Sequence, residues 1–423
     1  MNDRDGDHFS AENRQALASA RTMLAESGDA FTAALLRVAD APGTESLHEF
    51  ARAFAAAELT PRLSRAFFDA LTRYRIIPDG RVMATGSDSA FLFGHLRHIH
   101  AFLRGLPKRL EARGEVLLPS IGAALRELPE LATDEEFAAF VAAGDPFANG
   151  RAYRWLNARF EPARLESIRA VDRFYGFAGV RRIFREHYKA FAGGKPAVPL
   201  LISSLPGHGK TQLTIAYALS HPELTLILAP GDTLETNFET LIDLLRLRPD
   251  RRFVIFFDDL DPAKIDWYTF RTHVGGSFSP PDHVLLALAS NFEFPANILS
   301  RGRSVLFPTF DDVRCQEMVE DFLAVNGFRH PNRNLISLIA ATYTEEFGQK
   351  RYTELSPRTL IRHLAVYEND RRRRRDIVEL ACGPMVTKPD PELFYEFNIR
   401  LMRKLYGKEY IEDMLKDKLK ALE

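Results

Sequence analysis

The chain has 423 residues, of which 46% are hydrophobic and 27% are charged, and its formal net charge is -1. A chain of this length is expected to form two or three domains, each with its own core. The nearly balanced charge excludes a global attraction to nucleic acid or to an anionic membrane. Such a partner would have to be bound by a local patch.

The sequence predicts a cytoplasmic protein. Its start, MNDRDGDHFSAENRQ, is polar and acidic, unlike a signal peptide. The longest uncharged run, residues 196–209, is too short to cross a bilayer. The sequence does not decide whether Cys315 and Cys382 form a disulfide. Two cysteines without metal-ligand spacing favour reduced, buried thiols.

The first third of the chain indicates helices joined by short turns. Thr133 and Glu136 have the spacing of a capping box, in which both side chains bond to the amides of a helix start. Gly, Pro and Asn residues at 144–150 mark a domain boundary. We therefore predict an all-α region over residues 1–150 that recognises a partner, followed by a further helix from about residue 162 to residue 172.

Short apolar runs dominate the next part of the chain. They are 200–203, 224–229, 253–257, 284–289 and 304–307. The first four are separated by stretches long enough for a helix, a pattern typical of a parallel sheet covered on both faces. We predict an α/β domain over residues 151–310 with a five-stranded parallel sheet. The charged, helical remainder predicts a helical lid and C-terminal helices over residues 311–423.

The first of these strands leads directly into the loop SLPGHGKT, which begins at Ser204. A glycine-rich turn before a helix directs backbone amides at phosphate oxygens. Lys210 would contact the β and γ phosphates of ATP, and Thr211 would ligate Mg²⁺. The expected nucleotide-binding residues of the loop are Gly207, His208, Gly209, Lys210, Thr211 and Gln212. The pattern has glycine where this chain has Ser204, and a chance GKT at a strand–turn–helix junction is the alternative.

Two acids end the strand at 253–257. Asp258 is predicted to serve Mg²⁺, and Asp259 to orient or deprotonate the attacking water. The alternative is a helix N-cap, for which aspartate is favoured. Asn291 ends the next strand, at the ligand-binding edge of an α/β sheet, where it could hold the same water or be only a turn residue.

Arginines follow at positions where a γ-phosphate could be reached. Arg301 and Arg303 precede the fifth strand, and Arg358 begins a helix of the C-terminal part. Isolated arginines are more often solvated surface charges.

In this order the motifs resemble those of the AAA+ ATPases. The corresponding positions are Walker A at 204–211, Walker B at 253–259, sensor 1 at Asn291, an arginine-finger region at 301–303 and sensor 2 at Arg358. Over roughly residues 165–370 the chain is most similar to a bacterial family of predicted ATPases known as a domain of unknown function. The similar features are D-D-L after Walker B, the segment from 274–276 through 289–291, and S-x-R-T in the lid. Phe174, Tyr175 and Gly176 resemble the element that contacts adenine.

The resemblance implies a P-loop NTPase that uses ATP and Mg²⁺, acts on a bound macromolecular partner and self-associates, so that a finger arginine reaches a neighbour's ATP. A protein partner is expected, and nucleic acid is possible but not favoured. Asp259 stands where most AAA+ proteins have glutamate, which opens the alternative of a nucleotide-gated switch with little turnover. A DNA-associated loader is the other alternative.

We interpret two further clusters of charged or polar residues as structural rather than functional. The arginine run 371–375 is flanked by acids, so a solvated lid helix with helical ion pairs is preferred to a nucleic-acid site. His95, His98 and His100 lack a completing acid or cysteine, and we expect ordinary surface histidines.

Overall fold

The computed structural model describes residues 30–40, 44–52, 58–73, 87–112, 114, 119–165, 168–267, 280–327, 332–382, 388–409 and 411. The chain divides into two compact units, residues 1–150 and 151–423. None of the helices in these ranges is long and apolar enough to cross a membrane. The segment 274–276, which contributed to the family resemblance, lies outside the described residues.

The described residues of the first unit form helices around an apolar core. These are α1 (Ala30–Asp40), α2 (Thr44–Arg52), α3 (Leu59–Arg73), α4 (Ser87–Ala112), α5 (Pro119–Arg126) and α6 (Asp134–Ala142). The predicted capping box at the start of α6 is confirmed, because the Thr133 hydroxyl accepts from the Glu136 amide and the Glu136 carboxylate accepts from the Thr133 amide. That the whole of residues 1–150 is helical stays a prediction.

The histidines of α4 correct the sequence interpretation. His95 and His100 are only 8% and 3% exposed, so they are not surface residues. The His100 ring lies 5.0 Å from that of Phe140 in α6. Burial is the main reason that the pKa of His100 falls to about 4, so both the packing and the charge are those of a neutral core residue. The sequence did not reveal this because the aromatic partner comes from a distant helix.

The second unit contains a mixed sheet with helices. Its strands are β1 (Ala152–Leu156), β2 (Arg159–Pro162), β3 (Leu200–Ser203), β4 (Leu224–Ala229), β5 (Arg252–Leu260), β6 (Val284–Ser290) and β7 (Arg303–Leu306). The helices up to β7 are α7 (Ala178–Ala192), α8 (Lys210–Ser220), α9 (Thr233–Thr236), α10 (Phe238–Arg246) and α11 (Ala296–Leu299).

Over the residues that the structure describes, the sheet has seven strands in the order β2-β1-β4-β5-β6-β3-β7, so the prediction of five was wrong. The two additional strands form an antiparallel hairpin, and the other pairings are parallel. Tyr153 and Trp155 point into the core and alternate with Arg154, while the tight turn at Asn157 and Ala158 has positive φ at both residues. No glycine marks this turn, which is why the hairpin was missed.

The helix expected from about residue 162 to residue 172 is also wrong. Residue 162 still belongs to β2, and the helical segment described in that stretch is a short 3₁₀ turn, Val171–Arg173. The segment between β2 and the helix that begins at Ala178 is a linker.

Helices follow β7 in the described chain. They are α12 (Asp312–Val325), α13 (Arg333–Gly348), α14 (Pro357–Asn369), α15 (Arg371–Ala381) and α16 (Pro391–Tyr406). Pro357 occupies the first turn of α14, where no amide is needed, and Ser356 caps it. Cys315 and Cys382 are free thiols, as expected, but only Cys315 is buried. Cys382 is exposed at the end of α15, so the expectation of a buried thiol was wrong there.

The arginine run at the start of α15 is partly engaged by residues of neighbouring helices. Arg373 donates to the carboxylate of Glu346 at 2.6 Å and lies over the Tyr367 ring. Arg374 donates to the carbonyl of Asn326 at 3.2 Å. These partners come from other helices, so the expected pairing with the flanking acids is not what holds Arg373.

Candidate nucleotide-binding site

The phosphate loop connects β3 to α8 and has the backbone that the motif requires. Gly207 and Gly209 have φ of 82° and 91°, a region that favours glycine. A Cβ at Gly207 would also lie 3.0 Å from the Ser356 hydroxyl, so the start of α14 lies directly against the loop. The amide of Arg358 donates to the carbonyl of Gly207 at 3.1 Å, which joins α14 to the loop directly.

Lys210 lies inside the site with its ammonium fully engaged. Its Nζ donates to the carbonyl and hydroxyl of Ser204, at 3.1 and 3.0 Å, and to Oδ1 of Asn291 at 2.7 Å. Burial lowers the pKa of Lys210 to about 8, although the nearby carboxylates oppose that change. The serine that departs from the motif therefore supplies an oxygen to the motif's own lysine.

Asp258 and Thr211 form the pair that a magnesium ion would need. The Thr211 hydroxyl donates to Oδ2 of Asp258 at 2.6 Å. The other carboxylate oxygen, Oδ1, is buried and has no hydrogen-bond partner among the described residues, and burial raises the pKa of this group. Two hard oxygens with a spare coordinating position fit Mg²⁺, which binds few protein ligands and keeps water or phosphate oxygens around it.

Asp259 is presented to the site by an irregularity in β5. The pairing with β6 shifts between Phe257 and Leu260, so β5 holds one residue more than its neighbour there. Asp259 adopts φ of 51°, and its Oδ1 accepts from Nδ2 of Asn291 at 3.2 Å. In a regular strand, adjacent side chains point to opposite faces. The bulge therefore allows both consecutive acids to serve one site.

The phosphate loop, the linker before α7 and the start of α14 border a cavity of about 600 Å³. The predicted residues Tyr175, Gly176, Asn291 and Arg358 line it, together with the phosphate loop and Asp259. Tyr175 packs edge-on against Phe322 at 5.5 Å. A Cβ at Gly176 would lie 2.4 Å from Met318, so glycine is required for the linker to lie against α12.

His208 and Gln212 also border the cavity. His208 is buried beside the rings of Phe177 and Phe307, at 5.8 and 6.5 Å. Burial is the main cause that lowers the pKa of His208 to about 4, so it is neutral and adds no charge near Lys210.

Two arginines that sequence reasoning missed also line the cavity, Arg169 and Arg362. Arg362 follows Arg358 by one helical turn of α14, so both side chains share a face. The spacing was visible in the sequence and could have identified it. Arg169 lies in an irregular segment and has no such signal.

The candidate finger residues are not brought to this cavity. Arg303 pairs in register with Leu200 at the start of β3, whereas the phosphate loop leaves the other end of that strand after Ser203. The Arg303 guanidinium lies 3.2 Å from Glu186, and Arg301 is exposed. Both therefore lie toward the end of the sheet opposite the chain's own phosphate loop.

Several solved structures are similar to the chain. The RuvB Holliday junction branch migration motor of Thermotoga maritima has a TM-score of 0.33 and 16% identity, covering 56% of this chain and 72% of that chain. Domain III of the replication initiation protein DnaA from Thermotoga maritima has a TM-score of 0.29 and 14% identity, covering 48% of this chain and 98% of that chain. The Orc1 protein of Aeropyrum pernix in complex with DNA has a TM-score of 0.32 and 15% identity, covering 55% of this chain and 67% of that chain.

Curated proteins gave no match. Residues 148–327 match the family model described as "Protein of unknown function (DUF815)". This stretch contains the phosphate loop, Asp258, Asp259 and Asn291. The predicted resemblance to a family of unknown function is confirmed for these residues.

Proposed function

We propose that the chain is an AAA+-type ATPase that binds and hydrolyses MgATP and uses the cycle to remodel or regulate a bound macromolecular partner. The observation that carries the proposal is the continuous path of hydrogen bonds from Lys210 through the Asn291 amide to Asp259. It links the phosphate-binding lysine to a carboxylate in the same cavity, which a structural junction alone would not need.

Binding would use the loop and the lid together. The amides that follow Gly207 and Gly209 would face the phosphates, and Lys210 would exchange Asn291 for a phosphate oxygen while keeping its Ser204 partners. Arg358 adds a second positive charge from α14. Tyr175 and Gly176 would border the base at the far end of the cavity.

Hydrolysis would use the polar groups at the ends of β5 and β6. Asp259 would accept a hydrogen bond or a proton from the attacking water, and Asn291 would hold that carboxylate in place. Asp258 and Thr211 would hold Mg²⁺, which supplies charge neutralisation at the transferred phosphoryl group.

The finger arginine would act on a neighbouring copy, which makes the protein a homo-oligomer. Support comes from Arg301 and Arg303, which lie toward the opposite end of the sheet from their own phosphate loop. A guanidinium placed there can serve another subunit's ATP more readily than its own.

We assign the nucleotide-binding domain to residues 151–310, the helical lid and C-terminal helices to 311–423, and partner selection to 1–150, in a cytoplasmic protein. A second candidate function is a nucleotide-gated switch with little turnover. It is favoured by one observation, that the water-activating position holds the shorter acid Asp259.

The test measures ATP binding by calorimetry and phosphate release in the wild type and in Asp259→Asn. Asparagine also tolerates positive φ, so the backbone is kept. We expect binding to persist and turnover to fall by about 10²–10⁴-fold. Asp261→Asn, two residues on and outside the cavity, is the matched control. Wild-type binding without turnover would support the switch, and no binding at all would refute both functions.

A further inference from the structure

The last helix of the described chain touches the strand end that carries Asn291. The Tyr406 hydroxyl, at the end of α16, donates to the backbone carbonyl of Asn291 at 3.1 Å. The Tyr406 ring also meets Phe292 edge-on, with centroids 5.4 Å apart. Tyr406 is therefore fixed to two consecutive residues of the segment that follows β6.

These contacts hold Asn291 by its backbone and leave its side chain to the cavity. The amide of Phe292 donates to the Ser290 hydroxyl at 2.9 Å, so the peptide unit between Asn291 and Phe292 is held on both of its polar atoms. The Asn291 side chain then joins Lys210 at 2.7 Å to Asp259 at 3.2 Å. A displacement of this peptide unit would change both distances.

Helix α16 is itself anchored, so Tyr406 has a defined position. Asn398 donates to the carbonyl of Phe310 at 2.9 Å from a buried position. Nearer the start of the helix, Phe394 packs edge-on against Phe310, and Phe397 against Phe347 of α13. The helix thus connects the lid helix α13 to the end of β6.

We propose that Tyr406 is a positioning residue for ATP hydrolysis, acting through Asn291. The inference rests on the proposed ATPase function and deepens it. The hydroxyl keeps the Asn291 peptide in place, so that the side-chain amide presents Asp259 to the water. Tyr406 itself does not line the cavity, and Lys210 keeps its Ser204 oxygens whatever happens at Asn291. Its loss should therefore affect turnover more than binding.

The test is Tyr406→Phe, which removes the hydroxyl and keeps the ring against Phe292. Loss of one hydrogen bond predicts a fall in kcat of about three- to tenfold. The Kd for ATP, measured by calorimetry, should change by less than about twofold, because the loop amides are untouched. Tyr395→Phe, on the same helix and 60% exposed, is the matched control and should leave both quantities unchanged.

An unchanged kcat in Tyr406→Phe would overturn the inference, as would a weakening of ATP binding equal to the loss of turnover. Tyr406→Ala, which also removes the ring from Phe292, should lower kcat further while thermal unfolding shows that it is folded. If Tyr406→Ala turned over ATP as fast as Tyr406→Phe, the ring contact would have no positioning role. A wild type without turnover overturns the ATPase proposal instead, whereas an active wild type with an equally active Tyr406→Phe overturns only the inference.

Discussion

The ammonium of Lys210 lies 3.0 Å from the hydroxyl of Ser204, the residue at which the phosphate loop departs from its usual glycine. Both groups are buried. Without the Ser204 hydroxyl, the ammonium would therefore have one hydrogen-bond acceptor fewer at a position that water does not reach. The same hydroxyl donates to the carbonyl of Leu205 at 2.9 Å, which also stabilises the start of the loop. The departure is thus a local polar contact rather than a sign that the loop is unrelated to phosphate binding.

Replacing this hydroxyl gives the first prediction. Ser204→Ala should lower the free energy of unfolding by about 1 kcal/mol, because Lys210 and Leu205 each lose a partner. ATP binding should persist, since the Ser204 carbonyl still accepts from Lys210. Denaturant unfolding and calorimetry measure the two quantities. Ser300→Ala, which removes an exposed hydroxyl, is the control, and equal destabilisation by both variants would contradict the role of Ser204.

The second prediction concerns pH. Burial lowers the pKa of Lys210 from 10.5 to about 8 in the free protein, and phosphates would raise it again by favouring the charged form. Below about pH 8 the lysine is charged before and after binding, so affinity should be independent of this group. Above that value binding must take up a proton, and affinity should fall by up to about tenfold per pH unit.

Calorimetry in buffers of different ionisation enthalpy checks this directly. Proton uptake should rise between pH 7 and pH 9 in the wild type. Lys210→Ala should show no uptake and little or no ATP binding, because the charge on the β and γ phosphates is no longer neutralised. Wild-type affinity in that variant would refute the phosphate-loop assignment.

The third prediction follows from the bulge at Asp259. Aspartate tolerates the positive φ of 51° better than glutamate does, and its carboxylate already reaches Asn291 at 3.2 Å. Asp259→Glu would extend the carboxylate past this partner. Although glutamate is usual in the AAA+ families that the chain resembles, kcat should fall by about 10–100-fold, as expected for a misplaced catalytic group.

Steady-state phosphate release measures this effect, with ATP affinity as the internal reference. Affinity should stay close to wild type, because Asp259 would serve the water rather than the phosphates. Asp258→Asn is the informative comparison. Because it removes a carboxylate that would bind Mg²⁺, it should instead raise the Mg²⁺ concentration needed for turnover. An Asp259→Glu variant as active as the wild type would show that the bulge does not set the reach of the acid.

Sequence patterns predicted the parts of the candidate site that depend on local chemistry. The turn before α8, the acids of β5 and the asparagine after β6 lie together because parallel strands end at one edge of the sheet. What could not be predicted depends on contacts distant in sequence. Tyr406 reaches Asn291 across 115 residues, and the turn at Asn157 and Ala158 lacks the glycine that usually signals a hairpin.

The last prediction concerns self-association. If a finger arginine serves the ATP of a neighbouring copy, Arg301→Ala or Arg303→Ala should lower turnover by about 10³–10⁵-fold, because charge on the transferred phosphoryl group is no longer neutralised. Nucleotide affinity should be retained in both. Arg303 forms an ion pair with Glu186, whereas Arg301 is exposed. Arg301→Ala is therefore expected to lower turnover more.

Mixing variants distinguishes action on a neighbour from action within one chain. An inactive finger variant still has an intact phosphate loop, and Lys210→Ala still has its arginines. In a mixed oligomer the arginine of one subunit would face the ATP of the other, so some activity should return. Specific activity of the wild type should also rise with protein concentration. A monomer with constant specific activity and no recovery on mixing would remove the oligomer from the proposal while leaving the nucleotide chemistry in place.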